Sequence, residues 1–520
     1  MKNPVFSKLD FFLHRQRTAL LLSGVLLAAL SVPAHAAWVS TGSDGRLQYG
    51  MDAHGNRIAD FSYAGYHGGG VRLPEPGNAL DVRPALDGES CDAIQNAIDQ
   101  VSHMQPTNGI RGVVRLLPGT YSCSRPIQIQ TDGVVLRGSG ADSTTLSMTG
   151  DPHTAIEVRP ASVNKAKRGK GIPVTDAYLP VGALSLHVAD ASSFKIGDRV
   201  KLNHVISADW IHAMGMDELV RNGQQQTWIK PGTVFGMERT ITGIQSSEIM
   251  LDAPITDALD VALAGDGGIT LQASDDSAAL TNVGVENLRI ASPAQTGKNI
   301  SEALFAGIQA SQLRDAWFRN LELDNAVAAL SLNESDRITV QRVSIKEDYL
   351  LGKAAGGAAI LSVQGASSQI LFDRCRIDAD GMFFFATASG VPGPLVILNS
   401  VFQGNGSIQP HMRWSTGLLV DSTAVPAGGI EFINRNTMGS GHGWAVGWST
   451  VWNSTASSLD IEQPPLATSW CIACKGPRHV KFHGQEGVFE RYGQDGLVPS
   501  LYLAQLRERL GVQALRNIGY

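Results

Sequence analysis

Charge is scarce in this 520-residue chain: 17% of its residues are Asp, Glu, Lys or Arg, against roughly 25% in an average soluble domain. The 42 basic residues are outnumbered by 48 acidic ones, which argues against a nucleic-acid backbone as the main partner. Cysteine is rare, with only Cys91, Cys123, Cys375, Cys471 and Cys474. A disulfide-dense scaffold is thereby excluded. Cys471-x-x-Cys474 has no second CxxC to complete a zinc ribbon and no thioredoxin-like context for redox work. After residue 36 no apolar run is long enough to cross a bilayer. What the chain has in plenty is glycine, 56 residues, and a hydrophobic fraction of 43%. The second figure excludes wholesale disorder.

The one apolar run stands at the start. Residues 1–17 are basic and mixed, Thr18 to Val32 are apolar, and Ala34-His35-Ala36 is a small-x-small cleavage site. This is the pattern of a bacterial secretory signal peptide cleaved after Ala36, so a periplasmic or secreted location is expected. The mature chain would carry 38 basic and 47 acidic residues, a net charge of −9. Export permits disulfides, with Cys91–Cys123 and Cys471–Cys474 as possible pairs.

A degenerate repeat organises the rest. From Asp92 to Val101 the apolar residues Ile94, Ala97, Ile98 and Val101 fall on one helical face. Short strands follow at Val113–Leu117 and Val134–Arg137, set between glycines and a Pro118-Gly119 turn. Beyond residue 283 one pattern returns five times: an apolar residue, any residue, Asn or Arg, two residues, then an apolar residue. Its copies end at Ile290, Leu323, Ile345, Ile377 and Phe402, spaced 33, 22, 32 and 25 apart. Periods of 20–35 with short strands mean a solenoid whose units bury their apolar faces on one another. The five terminal residues are therefore expected to share one core, with Asn287, Asn320, Arg342, Arg374 and Asn399 stacked along one edge. Between about 172 and 260 the pattern changes to that of a compact β-rich insertion, with a longer excursion from Asp209 to Trp228. Leu501–Leu510 is expected to be a helix capping the solenoid's open core. The segments are a signal peptide 1–36, an N-terminal segment 37–80, a capping helix with first coils 81–165, an insertion 166–265, the main solenoid 266–495 and a terminal helix 496–520.

Leu117-Pro118-Gly119-Thr120-Tyr121, Gly133–Gly138, the helix before them, and Asp60–Tyr66 followed by glycines resemble exported bacterial members of the pectate lyase superfamily. The resemblance covers about 60–150, and 280–470 more loosely. It implies an all-β fold, a right-handed parallel β-helix. It leaves the activity open, since that superfamily holds polysaccharide lyases, glycoside hydrolases, epimerases and phage-type adhesins.

Polar and aromatic residues concentrate at 409–453. His411 and Arg413 are two apart and so share one face of a strand. Arg435, within Asn434-Arg435-Asn436, follows about one coil later, and His442 sits among Gly439, Gly441 and Gly443. Eliminating O4 from a uronate requires the carboxylate to be neutralised, C5–H to be removed and the leaving oxygen to be protonated. Guanidinium grips a carboxylate through two bonds, which suits Arg413 and Arg435. Imidazole titrates near neutrality, which makes His442 or His411 the base. Asn434, Asn436, Trp414, Trp444 and Trp448 are the candidate substrate contacts. Calcium is an alternative neutraliser in similar lyases, with Asp378, Asp380 and Asn405 as its candidate oxygen ligands.

The expected function is cleavage of an acidic, uronate-containing polysaccharide by an exported monomer. Hydrolysis is the alternative. Gly441-His442-Gly443 is similar to a polygalacturonase motif, but the Asn-Thr-Asp of that family is missing. Asp421 with Glu431 would be the carboxylate pair. A non-catalytic glycan-binding solenoid is the third reading.

Overall fold

A computed structural model of the chain describes residues 37–86, 88–162, 170–275, 278–295, 303–348, 359–381, 383–480 and 484–520. The expected signal peptide, 1–36, lies outside the described residues. No helix among them is long and apolar enough to cross a membrane.

Among the described residues, twenty-eight strands join in one sheet that is almost wholly parallel and winds into a right-handed β-helix. Three rows of strands run along it. In one, the apolar residues of the repeat lie directly on one another: Ile290 on Leu323, Leu323 on Ile345, Ile345 on Ile377, and Ile377 on Phe402. All five are at most 2% exposed and belong to a single interior cluster. The Asn and Arg of each repeat stand three residues earlier, where the chain turns. Asn287, Asn320, Arg342, Arg374 and Asn399 all have left-handed backbone, with φ between 46° and 57°. Asparagine tolerates that region best among residues with a Cβ. The Asn320 amide donates to Asn287 Oδ1 at 2.8 Å, so the turn residues also bond from coil to coil.

The helix α1 (Cys91–Ser102) packs Ile94, Ala97, Ile98 and Val101 into the same interior cluster beside the first coils. The insertion interrupts the solenoid without breaking its stack. Gly284 pairs with Val135 and Ile290 with Leu146, although the chain between them leaves and returns. It folds as a six-stranded antiparallel sheet running from Ile172 to Ala273, so it ends later than residue 265. Its core of Val200, Leu202, Ile241, Ile249 and Leu271 is separate from the solenoid's. Within it, α2 (Ala208–Ala213) begins the excursion toward Trp228.

The terminal helices α3 (Leu501–Leu510) and α4 (Val512–Asn517) do not cap the open core. Leu501, Tyr502 and Leu506 instead cover the outer face of one row, in a cluster with Phe61, Leu371, Val396 and Leu398. That row is apolar on both faces, which is why its outer side needs a cover. Of the two possible cysteine pairs, Cys471–Cys474 is bonded. Cys91 and Cys123 remain buried thiols with their sulfurs within 4.8 Å.

Insertion and solenoid meet around His204, which is 4% exposed and has no hydrogen-bond partner at either ring nitrogen. Burial pulls its pKa down to about 4. Its ring stays neutral when folded and protonates near 6.5 when unfolded. Stability is therefore lost as pH falls from about 6.5 toward 4, by up to roughly 3 kcal/mol from this residue. Asp257 lines the same small cavity and opposes the trend, because burial raises its pKa to about 7. His204→Phe is expected to lessen the acid-induced fall in melting temperature between pH 6.5 and 4. An equal fall in both proteins would refute this.

Candidate active site

The expected polar residues meet at the downstream end of the third row of strands. That row runs Phe385, Ile408, Ile430, Leu459, each on the next. Just beyond Ile408 the chain places His411, and just beyond Ile430 it places Arg435. Arg435 Nη1 donates to His411 Nδ1 at 2.7 Å and to the His411 carbonyl at 3.1 Å. A guanidinium only donates, so His411 Nδ1 accepts and its neutral ring carries the proton on Nε2. The His442 ring lies 4.6 Å from that of His411, centroid to centroid. Arg413 reaches the same loop, donating to Ser440 Oγ at 2.6 Å. Its own amide bonds the His442 carbonyl at 3.1 Å. Phe383 closes one side, 5.4 Å from His411 and under the Arg435 guanidinium.

The electrostatics follow from burial and crowding. His442 is 9% exposed, and burial followed by Arg435 and Arg413 lowers its pKa to about 4. Burial, then Arg435, His442 and Arg413, lowers that of His411 to about 3. Both imidazoles are neutral at pH 7. Arg413 Nε, Arg435 Nε and His442 Nδ1 are buried and make no hydrogen bond. Leaving buried polar groups unpaired costs about 1–3 kcal/mol each. Three such groups lie in this one cluster.

The expected tryptophan platforms are not met. Trp414, Trp444 and Trp448 are at most 5% exposed and belong to the cluster between solenoid and insertion. Trp414 Nε1 donates to Asp257 at 2.8 Å, and Trp444 Nε1 to the Met214 carbonyl at 3.2 Å. They offer no open face to a sugar, because the insertion covers them. Asn434 turns the chain, its side-chain oxygen accepting from the Asn436 amide at 2.8 Å. Asn436 has left-handed backbone, and its carbonyl accepts from the Gly443 amide. Both shape the loop that presents His442.

The calcium ligands do not form a cage. Asp380 Oδ1 accepts from the Asn405 amide and Asn405 Oδ1 from the Gly381 amide, so each is used to hold a turn. Asp378 faces Lys346 from the adjacent strand. Asp421 is fully buried and accepts from Ser500 Oγ and the Tyr502 amide, capping α3. It cannot pair with Glu431 for hydrolysis.

Sequence reasoning missed Gln409, Ser440, Phe383 and Asp460. Gln409 donates to Glu431, whose charge sits beside Arg435. Glu431 lies directly against Asp460 on the next coil. Ile430-Glu431-Phe432 and Leu459-Asp460-Ile461 share one pattern, an acid between two core residues one coil apart. That signal was available in the sequence.

No protein-family model matches the sequence, and no curated protein matches it. Among solved structures the chain is similar to the tailspike protein gp49 of Pseudomonas phage LKA1, with 11% identity, 76% of this chain and 69% of that chain covered, and a TM-score of 0.43. It is also similar to the tailspike of E. coli bacteriophage HK620 in complex with a pentasaccharide, with 10% identity, coverage of 89% and 65%, and a TM-score of 0.38. A third is the Streptococcus pneumoniae surface protein and adhesin PfbA, with 10% identity, coverage of 80% and 99%, and a TM-score of 0.34.

Proposed function

We propose that this chain is an exported carbohydrate-active protein, akin to the pectate lyase superfamily, that cleaves a uronate-containing polysaccharide by β-elimination at the His411–Arg413–Arg435–His442 cluster. The observation that carries the reading is the gathering of two guanidiniums and two neutral imidazoles, Arg435 on His411, the His411 ring on that of His442, and Arg413 on the loop that carries His442. A uronate carboxylate would accept from the two guanidiniums, and the charge that builds on it as C5–H is lost would be stabilised there. Neutral His442 takes the C5 proton. The C5 electron pair forms the C4=C5 double bond, the C4–O4 bond breaks, and the imidazolium returns a proton to O4. His411, presenting Nε2–H, donates to the sugar. Calcium has no step in this scheme, because the arginines supply the positive charge.

Binding an anion would cancel part of the arginine field that depresses both histidines. Their pKa values should therefore rise on adding a bound polyuronate, because a nearby negative charge favours imidazolium. A proton NMR titration of the ring protons would show this, and unmoved values in a complex known to form would refute it. Activity is tested by incubating the protein with pectate, alginate, glucuronan and glycosaminoglycans while following the ultraviolet absorbance of the unsaturated product.

The pairing of Glu431 with Asp460 supports a second reading, hydrolysis. Adjacent strands lie about 4.8 Å apart, near the ~5 Å separation of retaining carboxylates. New reducing ends without unsaturated product would favour it, and binding without either would favour a non-catalytic solenoid.

A further inference from the structure

The insertion sends one segment out of its own sheet and onto the cluster. Ser207 Oγ caps α2 by accepting from the Trp210 amide at 2.8 Å. After α2 comes a hairpin, Val220–Arg221 against Gln224–Gln225, turning at Asn222-Gly223 with φ of 52° and 74°. Those two positive values are what a tight two-residue hairpin requires. The base of this arm is anchored twice. Trp210 and Trp228 stack at 5.1 Å. Trp228 Nε1 donates to the Trp444 carbonyl at 3.1 Å, while Trp444 Nε1 donates back to Met214.

The arm then closes on the glycines around His442. A Cβ on Gly441 would stand 2.9 Å from Gln226 Cβ, and one on Gly443 would stand 2.3 Å from Trp228 Cδ1. At the tip, Arg221 Nη1 donates to the Gly439 carbonyl at 2.7 Å. Gly439 lies under the His442 ring, so that its Cβ would come within 2.1 Å of Nε2. The next residue, Ser440, is the one that holds Arg413. Two guanidiniums thus grip successive residues of one loop. Arg221 is exposed and makes this one bond among the described residues. On the arm, Asp217 is tied to His212 Nδ1 at 2.6 Å.

We propose that this arm, residues 208–228, is one wall of the site, and that Arg221 is a positioning residue. It holds Gly439 beneath the His442 ring, and it offers a third guanidinium to an anionic glycan running past Arg413 and Arg435. The second role rests on the uronate reading; the first does not.

The test compares the full chain with Arg221→Ala and Arg221→Lys. The amides of Gly441, His442 and Gly443 bond within the loop, to Met438, Met438 and Asn436. Their hydrogen exchange should speed up at least about tenfold in Arg221→Ala, with the melting temperature nearly unchanged and partial recovery in Arg221→Lys. Unchanged exchange would overturn the positioning role. Binding is then measured by calorimetry with polygalacturonate, alginate, glucuronan and hyaluronan at several salt concentrations. Where the wild type binds, Arg221→Ala should bind about tenfold more weakly and with a shallower salt dependence. Equal affinity and salt dependence would overturn the anion contact. If the wild type binds none of the four, the uronate reading and the third contact fall together, and hydrogen exchange still decides the positioning role.

Discussion

His442→Ala and Arg413→Ala should each lower turnover of the acidic polysaccharide by at least about a hundredfold, measured at a temperature where the variant remains folded. The size follows from the roles. A positioned base contributes roughly 10²–10⁴-fold, and one donor aimed at developing negative charge about 10²–10³-fold. The effect on stability differs between the two. His442 is buried against the His411 ring, so its truncation also loses packing, whereas Arg413 is half-buried with its side chain bonded chiefly to one serine. Arg435→Ala is a different experiment. It removes a charge and also the donor that fixes the His411 proton on Nε2, so kcat and its pH profile should both change. Product measured by absorbance, beside a melting curve for each variant, decides the matter. Full turnover, or a loss that merely tracks unfolding, would remove these residues from the mechanism.

The solenoid was legible because one rule repeats. Each coil needs an apolar residue pointing inward and, three residues earlier, a residue that tolerates left-handed backbone. Asn287, Asn320 and Asn399 carry that signature openly. Later coils place Ser422 and Ala473 in the same conformation, where residue type no longer announces it. The helix Cys91–Ser102 was legible for the same reason: its buried face is set by local periodicity. The cationic cluster was visible as well, because His411 and Arg435 are one coil apart and stacking coils converts that interval into contact.

The tryptophans could not be read this way. Trp414, Trp444 and Trp448 look like sugar platforms only while the insertion is left out of account. Their cover comes from Met214, Trp228 and Asp257, some 150–230 residues away in the chain, and no local pattern encodes that docking. The terminal helix was misplaced on similar grounds. Its apolar stripe says that it is buried, but not whether it covers an end or a side. Asp421 and the acidic face of Asp378 and Asp380 show the converse. A carboxylate in sequence carries no mark of whether a helix cap or a turn has already used it.

Arg239→Ala should cost about 3–5 kcal/mol, a large loss for a position remote from any substrate. The side chain is wholly buried where the insertion meets the solenoid. Its guanidinium donates to the carbonyls of Glu238, Ala253 and Pro254 in the insertion, at 2.7, 3.2 and 2.7 Å. It also donates to the Gly393 carbonyl of the solenoid at 3.0 Å. Asp252, Glu238 and Asp336 surround it with negative charge. Removing it leaves several buried carbonyls without a donor at once, which is the expensive way to break such a network. Lysine would not substitute, since an ammonium has three donors and no planar fork to span both partners. Calorimetry of Arg239→Ala should therefore show the insertion melting ahead of the solenoid, as an added early transition. The consequence reaches the site, because the arm that closes on Gly441 and Gly443 is part of that insertion. The His442 loop should then gain hydrogen exchange in Arg239→Ala even at temperatures where the solenoid remains folded. A single unshifted transition would show that the insertion holds its place without this arginine.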